Sequence, residues 1–336
     1  MMNKKLKFAI IGCGKIAPRH AENILKQGIL AAVCDIIPER ADKFATTFHS
    51  SPFYSLEEML DRNKYLDVVV VCTPNGSHAE HSIKALAAGF HVLCEKPMCL
   101  TKDEALKMKQ AEQRADKRIF VVKQNRYNPP VVFVKKLIEE GKLGRILSVQ
   151  VNGFWNRPNE YFKDSWKGTK KGDGGILYTQ FSHFIDIAYW FAGDIKLVKT
   201  IKRNFQLNEI IETEDNCFVL AEFNSGAIGT FNFSISAYAK NMEGSITLLA
   251  EKGTVKIGGQ YLNILEYQQI EGMEPVILEK GNPANQYGKY EGSMSNHDKV
   301  YDNLIVALKD PAHSFAGIED GMKTVEIIEK IYASCE

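Results

Sequence analysis

Gly12-Cys13-Gly14-Lys15-Ile16-Ala17 is a GxGxxA turn, the arrangement with which a chain cradles the pyrophosphate of a dinucleotide. The bare pattern occurs by chance, but here a short apolar run precedes it and an amphipathic stretch follows, which is the context the fingerprint requires. Gly12 permits the tight turn and Gly14 lets the backbone approach the phosphates. Small Ala17 lets helix and strand pack closely while helix N–H groups, with Lys15 and Ile16 in the same turn, face the anion. Asp35 follows 23 residues after Gly12, close to the ~20 expected of an acid that accepts ribose hydroxyls and repels a 2′-phosphate. Asp35, with Ile36 beside it, therefore favours NAD over NADP, although Arg40 could turn toward a phosphate instead.

Two further segments carry chemistry. Thr73-Pro74-Asn75-Gly76-Ser77-His78 follows the apolar run 67–72, and Glu95-Lys96-Pro97 follows the run 90–94. Ligands of an open α/β sheet bind outside the carboxyl ends of its strands, so Thr73, Pro74, Asn75, His78, Glu95 and Lys96 are expected to contact the cofactor. A lysine directly after a buried strand is unusual, and desolvation lowers its pKa toward the range where it exchanges protons near neutrality. The alternative is an ordinary surface lysine at a strand end. His183 is a second proton-handling candidate, or a core histidine on a helix that also carries Phe181, Phe184, Ile185, Ile187 and Trp190.

The elements that must position these residues fall into two textures. Over residues 1–125 short apolar runs at 6–11, 30–35, 67–72, 90–94 and 119–122 alternate with amphipathic stretches, as in a parallel sheet buried on both faces. Ser55 with Glu58 and Thr101 with Glu104 read as capping boxes at helix starts. The expectation is a doubly wound α/β Rossmann domain. After Asn128-Pro129-Pro130 period-two alternation takes over at 146–155, 196–207, 217–223, 227–236, 245–250 and 253–257. That predicts an α+β domain over 126–336 with a large open, mostly antiparallel sheet. A helix at 175–191 and closing helices at 295–308 and 318–333 complete it, the last two able to pack back on the first domain. Residues 156–174 and 268–294 read as long loops, the second containing Tyr287 and Tyr290 and suited either to a lid or to an ordinary exposed loop.

The GxGxxA turn, the CTPNxxH segment, the EKP tripeptide and the GGxxxxxxxHFID segment, in that order, resemble the Gfo/Idh/MocA oxidoreductases over essentially the whole chain. That resemblance implies a Rossmann domain followed by an open sheet, one face toward the active site and the other used for oligomerisation. It also implies that Lys96 lies beside the nicotinamide with Pro97 after a cis peptide. Lys123-Gln-Asn-Arg-Tyr-Asn-Pro-Pro130, Trp166-Lys-Gly-Thr169, Gly174-Gly175, Thr179-Gln180-Phe-Ser-His183-Phe-Ile-Asp186 and Ser295-Asn-His297 are similar to the UDP-N-acetylglucosaminuronate 3-dehydrogenases of bacterial O-antigen sugar biosynthesis. Many members of the wider family carry Asp four residues before the active-site His; Thr179 stands there here, which argues against a polyol-dehydrogenase mechanism built on that carboxylate.

The resemblance implies NAD-dependent oxidation of the 3-hydroxyl of a UDP-linked N-acetylated hexuronic acid, with Lys96 and His183 catalytic and the primary base open between them. Such a substrate is polyanionic, so Arg126 and Arg157 are expected to grip it with planar guanidinium forks. Lys123, Asn125, Tyr127, Thr179 and Gln180 would line the sugar and diphosphate site. Gln124, Trp166 and Lys167 are assigned to the cofactor by the same resemblance, and Arg157 to a neighbouring subunit's site in a homo-oligomer, a tetramer being favoured. Some relatives recycle bound NADH with 2-oxoglutarate and others release it. The rival readings are an NAD(P)-dependent dehydrogenase of a free sugar or inositol and a non-catalytic NAD-responsive regulator, which would lack the Lys96 and His183 pair.

Composition excludes other classes. The 336 residues balance 42 Lys plus Arg against 41 Asp plus Glu, without the excess positive charge that drives nucleic-acid binding. The seven cysteines form no CxxC pair, so no metal site is expected and a reduced, cytoplasmic setting is. No apolar run approaches the ~20 residues of a membrane span, so no membrane partner is expected.

Overall fold

Uninterrupted apolar runs become the buried strands of a parallel sheet because helices cover both of its faces. A computed structural model describes residues 5–163, 165–286 and 291–335. Contacts divide the chain into two units, one of residues up to Val122 with His297–Val325, the other of Lys123–Asn296 with Glu326 onward.

The first unit contains β1 (Leu6–Ile11), α1 (Ala17–Gln27), β2 (Gly28–Cys34), α2 (Pro38–Phe48), β3 (Ser51–Phe53), α3 (Leu56–Arg62), β4 (Val68–Val71), α4 (His78–Ala87), β5 (His91–Cys94), α5 (Lys102–Ala115) and β6 (Ile119–Val121). Its six strands are all parallel in the order β3-β2-β1-β4-β5-β6, the doubly wound Rossmann arrangement. The order reverses between β1 and β4, so the Gly12 turn and the Thr73 segment flank the switch-point crevice where ligands bind. β3 has only three residues, two of them exposed, and too little apolar signal to be read from sequence. Of the two expected capping boxes, the one at Thr101 and Glu104 on α5 forms in full, whereas at Ser55 the Oγ accepts the Glu58 N–H as a simple cap.

In the second unit, α6 (Pro129–Glu139) and β7 (Ile146–Phe154) lead to α7 (Ile176–Thr179) and α8 (Ser182–Ala192). β8 (Ile195–Arg203), β9 (Asn216–Phe223), β10 (Ile228–Ser234), β11 (Glu243–Ala250), β12 (Gly253–Gly258) and β13 (Ile264–Ile270) complete one sheet with β7. Its order is β13-β12-β11-β7-β10-β9-β8, and every pairing is antiparallel except β7 with β10. Phe181 and Phe184 pack against Phe233 of β10, the first pair stacked with centroids 4.6 Å apart, so the aromatic face of α8 is core.

Three sequence expectations are corrected here. The single helix at 175–191 is two, α7 and α8, with Gln180 and Phe181 between them. Residues 268–294 are not one loop: β13 runs to Ile270, and β14 (Ala284–Gln286) pairs with β15 (Glu291–Met294). β13 is an edge strand whose polar residues disguise its alternation. The suggested lid residues Tyr287 and Tyr290 lie outside the described residues. Finally, the penultimate helix, α9 (His297–Lys309), starts two residues later than expected; α10 (Ile318–Ala333) closes the chain.

Candidate functional site

In the first unit, Gly12 has φ 88°, and a Cβ there would lie 2.7 Å from the Cys72 carbonyl oxygen, so neither the backbone nor the space admits a side chain. Gly14 has nothing within 4 Å of where its Cβ would be, which leaves open space for a pyrophosphate. No side chain caps the start of α1; its Ala17 and Arg19 N–H groups donate to the Gly14 and Ile16 carbonyl oxygens at 3.2 and 3.0 Å, and Pro18 has none. The positive end of the helix dipole, rather than these N–H groups, therefore favours an anion at the turn. Asp35 is buried; its Oδ2 accepts the Cys13 N–H at 2.9 Å and its Oδ1 accepts the Ile37 N–H at 2.9 Å. The carboxylate thereby fixes the fingerprint turn against the end of β2, and each oxygen keeps a lone-pair direction for a ribose hydroxyl. Ile36 beside it is 87% exposed, apolar surface where an adenine can lie. These features fit NAD. Burial and the Asp35 charge push the Cys13 thiol up to about 12, so it stays protonated beside an anionic ligand.

At the ends of β4 and β5 the side chains hold one another. His78 Nδ1 is 2.7 Å from the Pro97 carbonyl oxygen and its Nε2 is 2.8 Å from that of Thr73. Glu95 Oε1 accepts from His20 Nε2 at 2.8 Å and from His297 Nε2 at 3.3 Å, while its Oε2 accepts the Lys96 N–H at 3.1 Å. Burial opposes charge on Glu95, yet the two imidazoles hold its carboxyl well below the usual range. Burial pushes His20 toward its neutral form, in which Nε2–H donates to Glu95 and Nδ1 accepts from the Tyr301 hydroxyl at 3.0 Å. His78 and Glu95, expected from sequence as cofactor contacts, thus turn their polar atoms to the protein and brace the turn that carries Lys96. The Lys96–Pro97 peptide is cis. Sequence reading missed His20 and Tyr301; His20 lies three residues past Ala17 on the same face of α1, a spacing that marks it as inward-facing.

In the second unit, Lys123 Nζ lies 2.9 Å from Asp186 Oδ1, and Arg126 grips the same carboxylate with Nε and Nη2, each at 2.8 Å. Burial opposes the Asp186 charge, but the guanidinium and ammonium hold its carboxyl well below the usual range. This knot ties the 3₁₀ turn Gln124–Tyr127 to α8, and Gln124 Nε2 sits 3.1 Å from His183 Nε2. Asn296 fixes the same turn through the Gln124 carbonyl oxygen at 3.1 Å.

Tyr161, unmarked by sequence reading, gathers the remaining candidates. Gln180 Nε2 donates to its hydroxyl at 3.3 Å, and Lys167 Nζ and the Arg157 guanidinium lie 4.0 and 5.4 Å from its ring centroid. Lys167 also lies 5.9 Å from the Trp166 ring. Arg157 is buried and donates to the Asn156 carbonyl oxygen and to Asn241 Oδ1. Thr179 Oγ1 donates to Asp173 Oδ1, a carboxylate from the Gly-rich loop that sequence spacing could not pair with it. Gly175, with φ 118°, opens α7 against Tyr332, whose hydroxyl donates to Glu214 Oε1 at 2.6 Å. Gln124 Oε1, both amide atoms of Asn125 and Gln180 Oε1 are buried with no hydrogen-bond partner. Buried polar groups are ordinarily satisfied, so these atoms are open to water or to a polar ligand.

Comparison with known proteins bears on the family and the fold. The Gfo/Idh/MocA description "Oxidoreductase family, NAD-binding Rossmann fold" matches residues 6–123, and "Oxidoreductase family, C-terminal alpha/beta domain" matches residues 135–336. The WlbA dehydrogenase of Bordetella pertussis, solved with NADH and UDP-GlcNAcA, is 33% identical with a TM-score of 0.88, covering 98% of this chain and 96% of its own. The WlbA dehydrogenase of Chromobacterium violaceum, solved with the same two ligands, is 34% identical with a TM-score of 0.88, covering 99% and 94%. The glucose-6-phosphate 3-dehydrogenase of Bacillus subtilis is 31% identical over 64% of this chain, and the match spans 61% of that relative's length.

Proposed function

The chain belongs to the Gfo/Idh/MocA family of NAD-binding oxidoreductases, and from that premise we propose that it oxidises the 3-hydroxyl of UDP-N-acetylglucosaminuronic acid to the 3-keto sugar. The observation that carries the substrate class is the likeness, along nearly the whole chain, to two dehydrogenases solved with NADH and UDP-GlcNAcA. The unsatisfied amides of Gln124, Asn125 and Gln180 support a ligand rich in hydroxyl, amide and phosphate groups.

Bound NAD supplies the acceptor for the hydride that leaves carbon 3. The GxGxxA turn and the start of α1 bind its pyrophosphate, and Asp35 its adenine ribose. We assign Lys96 to take the 3-hydroxyl proton or steady the developing alkoxide, and His183 to share that proton. The fork of Arg126, expected to grip the substrate, is instead engaged with Asp186 together with Lys123, so these three groups carry one net positive charge. That charge and Arg157 are assigned to the cationic surroundings of the carboxylate and diphosphate. Trp166, Lys167 and Gln124 are assigned to the cofactor and Tyr127 and Thr179 to the sugar.

The same reading makes the protein a cytoplasmic homo-oligomer, a tetramer, in O-antigen sugar synthesis. Exposed Leu197, Ile201, Phe218, Leu220 and Ile228 share one face of β8, β9 and β10, an apolar surface that supports self-association. Recycling of NADH by 2-oxoglutarate belongs to the proposal too.

The test incubates purified protein with UDP-N-acetylglucosaminuronate and NAD, with and without 2-oxoglutarate, and follows 3-keto sugar and 2-hydroxyglutarate by mass spectrometry. Product from the uronate but not from UDP-N-acetylglucosamine or myo-inositol is expected. Oxidation of inositol or a free sugar instead defeats the substrate assignment.

A further inference from the structure

His78 opens α4 with its ring between two loops, and both ring nitrogens meet backbone carbonyl oxygens, Pro97 at 2.7 Å and Thr73 at 2.8 Å. A carbonyl oxygen only accepts, so each contact needs a hydrogen on the nitrogen, and a neutral imidazole has one. With one nitrogen bare, two lone pairs would face each other at hydrogen-bond distance on a residue that is 1% exposed. The ring that satisfies both contacts carries two hydrogens and a positive charge. Burial, the largest influence, pulls the ring below the ordinary imidazole value; the two carbonyls and the Glu95 carboxylate favour the charge, and Lys96 opposes it. It is the pair of acceptor contacts that requires the second hydrogen. On α4 itself the titratable neighbour is His81, which burial pushes toward its neutral form and whose Nδ1 is 3.0 Å from Thr73 Oγ1.

We propose that His78 is an imidazolium that ties the loop after β4 to the Lys96–Pro97 turn, and that its positive charge keeps Lys96 in the form that accepts a proton. The first half stands on the two carbonyl contacts alone. The second half rests on the assignment of Lys96 as the proton-handling group: a cation held beside an amine disfavours the ammonium and favours the free base. His78 is thus a positioning residue that acts on the reaction through Lys96. Its neighbour Glu95 holds the other end of the same turn through the Lys96 N–H.

The charge is read from the full chain labelled with ¹⁵N-histidine. At pH 8, among eight histidines, one ring with hydrogens on both nitrogens is expected, and it should vanish in His78→Gln. Its absence from the unaltered protein overturns the proposal even if the variant does not fold. The action on Lys96 is read from the pH profile of kcat for the uronate. A rising limb that moves up by about one pH unit in His78→Gln supports it, and an unmoved limb in a variant that still binds NADH overturns it. Unimpaired turnover in Lys96→Met would defeat the role of Lys96 separately, and the spectrum would still decide the charge on His78.

Discussion

Gln124 and His183 meet at 3.1 Å, amide nitrogen to imidazole Nε2, with both side chains buried. An amide nitrogen donates, so the imidazole Nε2 accepts and the neutral ring carries its hydrogen on Nδ1. One amide therefore sets the tautomer of the residue assigned to share the substrate proton. The ion pairs of Asp186 with Lys123 and Arg126 hold that amide in place by pinning its turn to α8.

Replacing Gln124 by Met keeps the volume and removes the donor. Turnover is expected to fall on the order of 10²-fold, the low end of what a positioned acid or base contributes. Steady-state kcat at saturating NAD and uronate checks this, and an unchanged kcat would show that the tautomer does not matter.

Lys96→Met is expected to retain NADH binding, because the pyrophosphate and ribose contacts lie in the Gly12 turn and at Asp35, and to lose turnover by roughly 10³-fold or more. Fluorescence titration of NADH alongside single-turnover rates separates the two effects. Near-normal turnover would remove Lys96 from the chemistry.

Asp186→Asn leaves two buried cations sharing an uncharged amide. Removing one partner from a buried ion pair costs about 3–5 kcal/mol, so the denaturation midpoint should fall well below that of the unaltered protein. Chemical denaturation followed by circular dichroism measures it; a loss under about 1 kcal/mol would show the pairs to be as weak as exposed ones.

Burial, with Lys117 and Arg118 nearby, pushes His91 down to about 4. The unfolded chain protonates this residue near 6.5, so its contribution to stability is fully present above that pH and is lost as pH falls toward 4. Melting temperature should therefore decline between pH 6.5 and 4, and the decline should be shallower in His91→Gln, whose amide oxygen can still accept the Arg118 N–H. Equal slopes would assign the acid sensitivity elsewhere.

The Rossmann half was legible because each of its signals is local. Strands buried on both faces leave uninterrupted apolar runs, and the Gly12 turn and Asp35 depend on positions within 23 residues of one another. The cis peptide before Pro97 was accessible through the family resemblance. Contacts made across sequence were not legible: Glu95 meets His297, 202 residues away, and Lys123 meets Asp186, 63 residues away, through folding alone. Edge strands β3 and β13 escaped because solvent on one side permits the polar residues that mask a strand's pattern. Thr179 gave no hint that its hydroxyl would bond Asp173, since nothing in a Gly-rich loop fixes where its carboxylate points.

The central claim is hydride transfer from carbon 3 of the nucleotide-linked uronate to NAD. It is tested most directly by supplying UDP-N-acetylglucosaminuronate with deuterium at carbon 3 and analysing cofactor and sugar after a single turnover. The account predicts one deuterium on the nicotinamide ring and a 3-keto sugar that has lost it. Reduced cofactor without deuterium, or a sugar oxidised with its label intact, would contradict it.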